Sequence, residues 1–181
     1  MNDNTANEQL NKNITVFTLI VTGAMGVMAF QVLPSLVIGM ITELEFNQQQ
    51  VGRVASAQLG GIAIGSFLNL WLIKIMSWRR IAYFGLTCLL ITDIVSMFVT
   101  DYSAFVLIRL LSGSAGGICV SFGAYALGST LKADRNFGLF LSVQVISAIV
   151  ANMFLPGIVQ ANGVISIFIA LVILELLILF L

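Results

Sequence analysis

The stretch "FVLIRLLSGSAGG", Phe105 to Gly117, places one arginine within an apolar run and follows it with a row of small residues. An apolar run of this kind is typical of a helix in lipid. A charge at mid-depth is costly there, so it usually faces a partner or a cavity. Glycine and serine let two helix backbones approach closely. The stretch therefore predicts a membrane-spanning helix that packs against other helices on more than one side.

The composition of the whole chain agrees with this prediction. Of its 181 residues, 59% are hydrophobic and 9% are charged, whereas a soluble domain is about 25% charged. The formal net charge is zero and the chain has no histidine. These values argue against a nucleic-acid partner and exclude histidine-based metal sites and Ser-His or Cys-His catalysis. We expect an all-α integral membrane protein in the lipid bilayer, with no cofactor and no metal, that is not an enzyme.

Six segments are long and apolar enough to cross the hydrocarbon core, which takes about 20 residues. Their backbones must be helical, because amides in lipid need hydrogen-bond partners within the segment. A polar tail at 1–13 precedes a transmembrane bundle at 14–181, whose spans cover 14–38, 51–73, 81–99, 104–130, 138–158 and 163–181.

The basic residues of the connectors mark one side of the membrane. They fall in the tail and in the second and fourth connectors: Lys12, Lys74, Arg79, Arg80, Lys132 and Arg135. The positive-inside rule then places both termini in the cytoplasm, as expected of a multi-pass protein of the plasma (inner) membrane. The chain ends at Leu181 within an apolar run, from which we expect a fragment or a truncated product.

Small residues recur every four positions in the second and fourth spans. Gly61 and Gly65 form one such line, and Gly113 and Gly117 form another. Residues four apart lie on one face of a helix. We expect these glycines to be helix-packing positions, and smooth faces of this kind would also let helices rock past one another.

Polar side chains distinguish the first and fifth spans. Gln31, Gln144 and Asn152 either bond neighbouring helices or line a wet cavity, whereas the third and sixth spans are apolar supports. Spans one to three thus mirror spans four to six. This symmetry favours a 3+3 inverted-repeat bundle, an arrangement common among secondary transporters.

Two opposite charges fall at one depth in the third and fourth spans. Arg109 lies about 10 Å into its span at 1.5 Å per residue, a distance that snorkelling could bridge in part. Asp93 precedes the short connector centred on Asp101 by as many residues as Arg109 follows it. We hypothesise that the two side chains attract one another. Glu175, in the most apolar span, has no obvious partner and is assigned no role.

The fourth span resembles a known transporter pattern. In "LIRLLSGSAGG" an arginine is followed by a glycine after four residues and by another after four more: Arg109, Gly113 and Gly117. This pattern is similar to the fourth-helix motif of the major facilitator superfamily. Over essentially its whole length the chain resembles the N-terminal six-helix half of such a transporter.

The connector between the second and third spans carries a second, less complete resemblance. "GSFLNLWLIKIMSWRRIAYFG" is similar to the superfamily's connector motif, with Arg79 and Arg80 at its basic end. Lys74 stands where the family usually has an acid, and Ser77 where it usually has a glycine. That acid helps to latch the cytoplasmic side, so the departure puts the latch in doubt.

The resemblance implies transport of a small-molecule substrate by alternating access, with proton coupling. It implies a place for Arg109 on the central cavity, and Gln31, Gln144 and Asn152 are the expected lining residues. Six more spans would come from missing sequence or from a second copy of the chain. The alternative is a truncated or regulatory six-helix protein without transport activity of its own.

Overall fold

The computed structural model describes residues 13–181, and all the regular secondary structure in this range is helical. The predicted polar tail lies outside the described residues except for its last residue. The helices are α1 (Asn13–Gln31), α2 (Leu33–Thr42), α3 (Gln48–Ile75), α4 (Trp78–Ser96), α5 (Tyr102–Gly128), α6 (Ala133–Asn162) and α7 (Ile165–Leu179).

The all-α class is confirmed for the described residues. Four helical segments are long and apolar enough to cross a membrane: Asn13–Thr42, Gln48–Ile75, Tyr102–Gly128 and Ala133–Asn162. Helix α4 has 19 residues with charges at both ends, and the apolar helix α7 has 15 residues. The count of six spans and the inverted repeat therefore stay predictions.

The first apolar segment is interrupted at Val32, between α1 and α2. Pro34 follows two residues later and has no N–H to continue the helical hydrogen bonds. The amide of Ser35 donates to the Val32 carbonyl at 3.0 Å, a step of three residues instead of four. The sequence predicts one continuous span at 14–38, and the structure instead bends it at Val32.

Helix α5 lies at the centre of the bundle, and its most extensive contacts are with α3 and α1. Along α3, a Cβ on Gly61 would meet the Leu110 carbonyl oxygen, and a Cβ on Gly65 would meet that of Ser114. In the same way, a Cβ on Gly113 would meet the carbonyl of Gln58. The two helices thus touch through their backbones.

A neighbouring face of α5 packs on α1 by the same means. A Cβ on Gly26 would meet the Gly116 carbonyl oxygen, and a Cβ on Gly123 would lie 2.9 Å from the Gly23 Cα. Helix α5 is therefore held between two backbones. This close packing agrees with an interior position for its sequence "SGSAGG" and fixes the direction in which Arg109 points.

Glu43, which follows α2, joins the connector after α2 to the connector before α7. Its Oε1 accepts a hydrogen bond from the Val164 amide at 2.8 Å, at the start of α7. The preceding residue, Gly163, has φ +82°, a conformation that favours glycine. A carboxylate at a helix start is stabilised by the unpaired amides there, so Glu43 fixes where α7 begins.

Candidate functional site

Arg109 is the largest fully buried side chain of the described residues, with 1% of its surface exposed. The close approach of α5 to its neighbours turns this side chain towards α4. Its Nη2 donates to Asp93 Oδ1 at 2.8 Å and also to the Ser96 hydroxyl. The salt bridge lies at the depth that the short α4–α5 connector sets, so the guanidinium does not snorkel to the surface.

Asp93 is equally buried and uses only one of its two oxygens in these contacts. Oδ1 accepts from Arg109 and, at 3.3 Å, from the Ser112 hydroxyl. Oδ2 has no hydrogen-bond donor among the described residues, and neither does Arg109 Nε have an acceptor there. The pair is therefore well bonded at one edge and open at the other.

Aromatic rings cover the guanidinium. Its central carbon lies 5.0 Å from the centroid of the Phe168 ring and 5.8 Å from that of Phe105. The two rings pack edge to face with centroids 6.3 Å apart, and Phe46, in the connector between α2 and α3, packs on Phe105. Cations are attracted to aromatic faces, so the rings both stabilise Arg109 and exclude water from it.

Glu175 joins this group from α7, which the sequence does not predict. It is 1% exposed, and its helix lies against the pair, because the ring of Phe168 in α7 covers the Arg109 guanidinium. The available signal is depth: Glu175 lies about 15 Å into α7 and Arg109 about 10 Å into α5 from the same side, at 1.5 Å per residue. The side chains of arginine and glutamate are long enough to cover this difference in depth. Glu175 is therefore buried among other side chains and does not lie near the surface.

The three predicted polar lining residues meet at a different place, between α1 and α6. Gln31 Nε2 donates to the Gln144 carbonyl at 3.1 Å, and Asn152 Nδ2 donates to the Gln31 carbonyl at 2.9 Å. All three are part-buried. They bond two helices across the bend at Val32, and the Gln31 side-chain oxygen has no described donor. The structure therefore divides the predicted pathway residues into two groups.

The connector motif lies at the other end of the bundle. Lys74 is exposed in the last turn of α3, and Arg79 and Arg80 are exposed in the first turn of α4. The Arg79 guanidinium carbon lies 5.1 Å from the centroid of the Trp78 ring. The motif thus presents three cations at one tight helix–helix turn.

Residues 13–181 contain no cluster of three or more His, Cys, Asp or Glu side chains placed to bind a metal ion. Comparisons with protein-family models, with curated proteins and with solved structures give no match. The resemblance to the major facilitator superfamily therefore rests on the motif residues alone.

Proposed function

We propose that the chain crosses the plasma (inner) membrane six times, with both termini in the cytoplasm. Four segments meet the length and hydropathy of a span and support four of these crossings. Helices α4 and α7 supply the other two crossings. The charges of α4 lie near its ends or in the Asp93–Arg109 pair, and α7 is apolar apart from the buried Glu175.

We infer that the function is secondary active transport of a small solute by alternating access, with proton coupling. The observation that supports this best is the buried Asp93–Arg109 pair. Ionisable groups are costly inside a membrane and usually mark ion or substrate pathways. A six-helix anchor would gain nothing from this pair that apolar side chains of similar volume could not provide.

In this proposal the charged pair and the uncharged polar residues have different roles. Asp93 and Arg109 belong to the coupling part, because they are the charged groups deep within the bundle. Gln31, Gln144 and Asn152 belong to the part that contacts the solute, because they are part-buried and the Gln31 side-chain oxygen has no described donor. Their bonding between α1 and α6 also supports the structural alternative, so an experiment must separate the two.

The proposed partner is a second six-helix half, from further sequence or from a second copy. Only 22% of the spanning window of α3 and 17% of that of α6 are buried within this chain, against 50% for the first span and 56% for α5. Gly52 and Gly60 of α3 face open space. A small-residue face without a neighbour is the kind of surface on which another helix could pack.

Cysteine accessibility tests the solute pathway without knowledge of the solute. In a variant whose native Cys88 and Cys119 are replaced, Gln144→Cys should react with a membrane-impermeant thiol reagent in proteoliposomes. The matched control is Val145→Cys, an apolar position of α6 that is 59% exposed in this chain and should be covered from water by lipid or by the second six-helix half. Equal protection of both cysteines would contradict a wet pathway at Gln144.

Transport itself is tested by adding a panel of small solutes to proteoliposomes that contain the complete protein and a pH-sensitive dye. We expect the transport of at least one solute to be accompanied by proton movement across the membrane. Gln144→Ala should reduce this proton flux more than Val145→Ala does. If no solute is bound or moved, the alternative of a non-transporting six-helix protein is favoured.

A further inference from the structure

Glu175 is a buried acid whose hydrogen bonds are incomplete. Neither of its carboxylate oxygens has a donor among the described residues, although the side chain is only 1% exposed. An ionised carboxylate without donors in apolar surroundings is strongly disfavoured. Helix α7 packs against α4, which carries the buried Asp93 carboxyl. Two ionised carboxylates could not form a hydrogen bond with each other there.

Asp93 has one carboxylate oxygen that lacks a hydrogen-bond donor. Its Oδ1 is occupied by Arg109 and Ser112, whereas its Oδ2 is buried without a donor. With both acids ionised, Asp93, Glu175 and Arg109 would carry one net negative charge in the interior. A single proton on Glu175 would remove that charge and supply the donor that Oδ2 lacks.

We propose that Glu175 binds one proton and donates it in a hydrogen bond to Asp93 Oδ2, so that Asp93, Arg109 and Glu175 form a neutral proton-binding site between α4, α5 and α7. The salt bridge holds Asp93 in place as the acceptor, and the bound proton joins α7 to the other two helices. This inference goes beyond the proposed function and holds whether or not the chain moves a solute.

Few other ionisable groups that could bind the proton, or balance the charge of Glu175, lie on the helices that pack around it. Helix α5 also carries the buried thiol of Cys119. Helix α1 carries no ionisable side chain, and those of α6, Asp134 and Arg135, lie in its first turns. Arg109 therefore supplies the positive charge of this site, and it is already paired with Asp93.

A metal cation fits the site less well than a proton does. Hard cations such as Ca²⁺ take six to eight oxygen ligands, whereas the described acids here number two. Arg109 Nη2 lies 2.8 Å from Asp93 Oδ1 and would repel a second cation beside it. A proton needs only one donor oxygen and one acceptor, both of which are present.

Infrared spectroscopy of the purified full chain in lipid tests the proposal through the carbonyl band of a protonated carboxylic acid. We expect this band at neutral pH in the unchanged protein and its loss in Glu175→Gln. The control Glu45→Gln removes an exposed acid and should leave the band unchanged. Absence of the band in the unchanged protein, or its persistence in Glu175→Gln, overturns the proposal.

Asp93→Asn separates this site from an acid that is protonated by burial alone. With Asp93 neutral, Glu175 becomes the counterion of Arg109 and should ionise, so the band should disappear although Glu175 is still present. A band that persists in Asp93→Asn shows that Asp93 is not the partner of the proton and contradicts the site as proposed.

Thermal unfolding at several pH values gives a second measurement, which does not depend on the infrared band. Glutamic acid is ionised at neutral pH in an unfolded chain, so a proton bound in the folded state is released on unfolding and stability falls as pH rises. We expect the midpoint of the unchanged protein to fall between neutral and alkaline pH, and that of Glu175→Gln to stay flat. Parallel curves, or recovery of the midpoint by sodium at alkaline pH, would overturn the proposal.

Discussion

Replacing Gly65 with alanine places a methyl group at the point where α3 and α5 touch through their backbones. The new Cβ would overlap the Ser114 carbonyl oxygen and lie 2.9 Å from the Ser114 Cα. These are main-chain atoms of a helix, so no change of rotamer relieves the contact. The two helices must separate or shift along each other, and the neighbouring contact at Gly61 is strained by the same movement.

The expected cost follows from two opposing effects. Overpacking a well-packed interior costs about 1–3 kcal/mol, and alanine in a helix interior returns about 0.5–1 kcal/mol relative to glycine. Gly65→Ala should therefore destabilise the folded chain by up to about 2.5 kcal/mol, and by about 1–3 kcal/mol relative to a glycine-to-alanine change without overpacking. Gly61→Ala should act through the same separation, so the double variant should cost less than the sum of the two.

Gly60→Ala is the matched control, because Gly60 lies in the same helix and a Cβ there would meet nothing within 4 Å. It should leave stability unchanged or raise it by up to about 1 kcal/mol. Unfolding by detergent titration of the purified variants measures both. If Gly65→Ala is as stable as Gly60→Ala, the backbone contact between α3 and α5 does not hold the bundle together and the reasoning is refuted.

Four further substitutions test other parts of the fold by the same unfolding measurement. Arg109→Met removes the counterion of a buried acid and should lower the free energy of unfolding by about 3–5 kcal/mol. Asp93→Asn should lower it less, because Glu175 can replace the lost negative charge. A larger loss in Asp93→Asn than in Arg109→Met would contradict the described pairing. Gly163→Ala forces alanine into a conformation that only glycine adopts readily and should cost about 1–3 kcal/mol, whereas Gly157→Ala, which faces open space, should cost nothing. Asn47→Ala removes the reciprocal side-chain cap with Gln50 at the start of α3 and should cost about 1 kcal/mol; an unchanged midpoint would show that this cap is not formed.

Much of the helical fold could be predicted because apolar runs and the polar connectors that end them are local features of the sequence. Runs of apolar residues end at polar connectors such as the one that follows Thr42, and the helices of the structure begin and end near those connectors. The depth of Arg109 and Asp93 was also predictable, because a short connector between antiparallel helices fixes the register on both sides of Asp101.

The contacts between distant segments could not be predicted in the same way. Which face of α5 meets α1 and which meets α3 depends on how the helices are arranged, and spacing alone leaves that open. The same limit applies to Glu175, because its meeting with Asp93 depends on α7 packing against α4. The polar residues Gln31 and Asn152 share a contact only because the chain brings α1 and α6 together.

The bend in the first span has a consequence for the order in which the chain is made. Asn152, whose side-chain amide donates to the Gln31 carbonyl beside the bend, lies 121 residues further along the chain. Synthesis and insertion proceed from the N-terminus, so the first span enters the membrane well before this donor exists. Until α6 arrives, the carbonyl must use water or a temporary partner, and the final shape of the first span is therefore completed late in biogenesis.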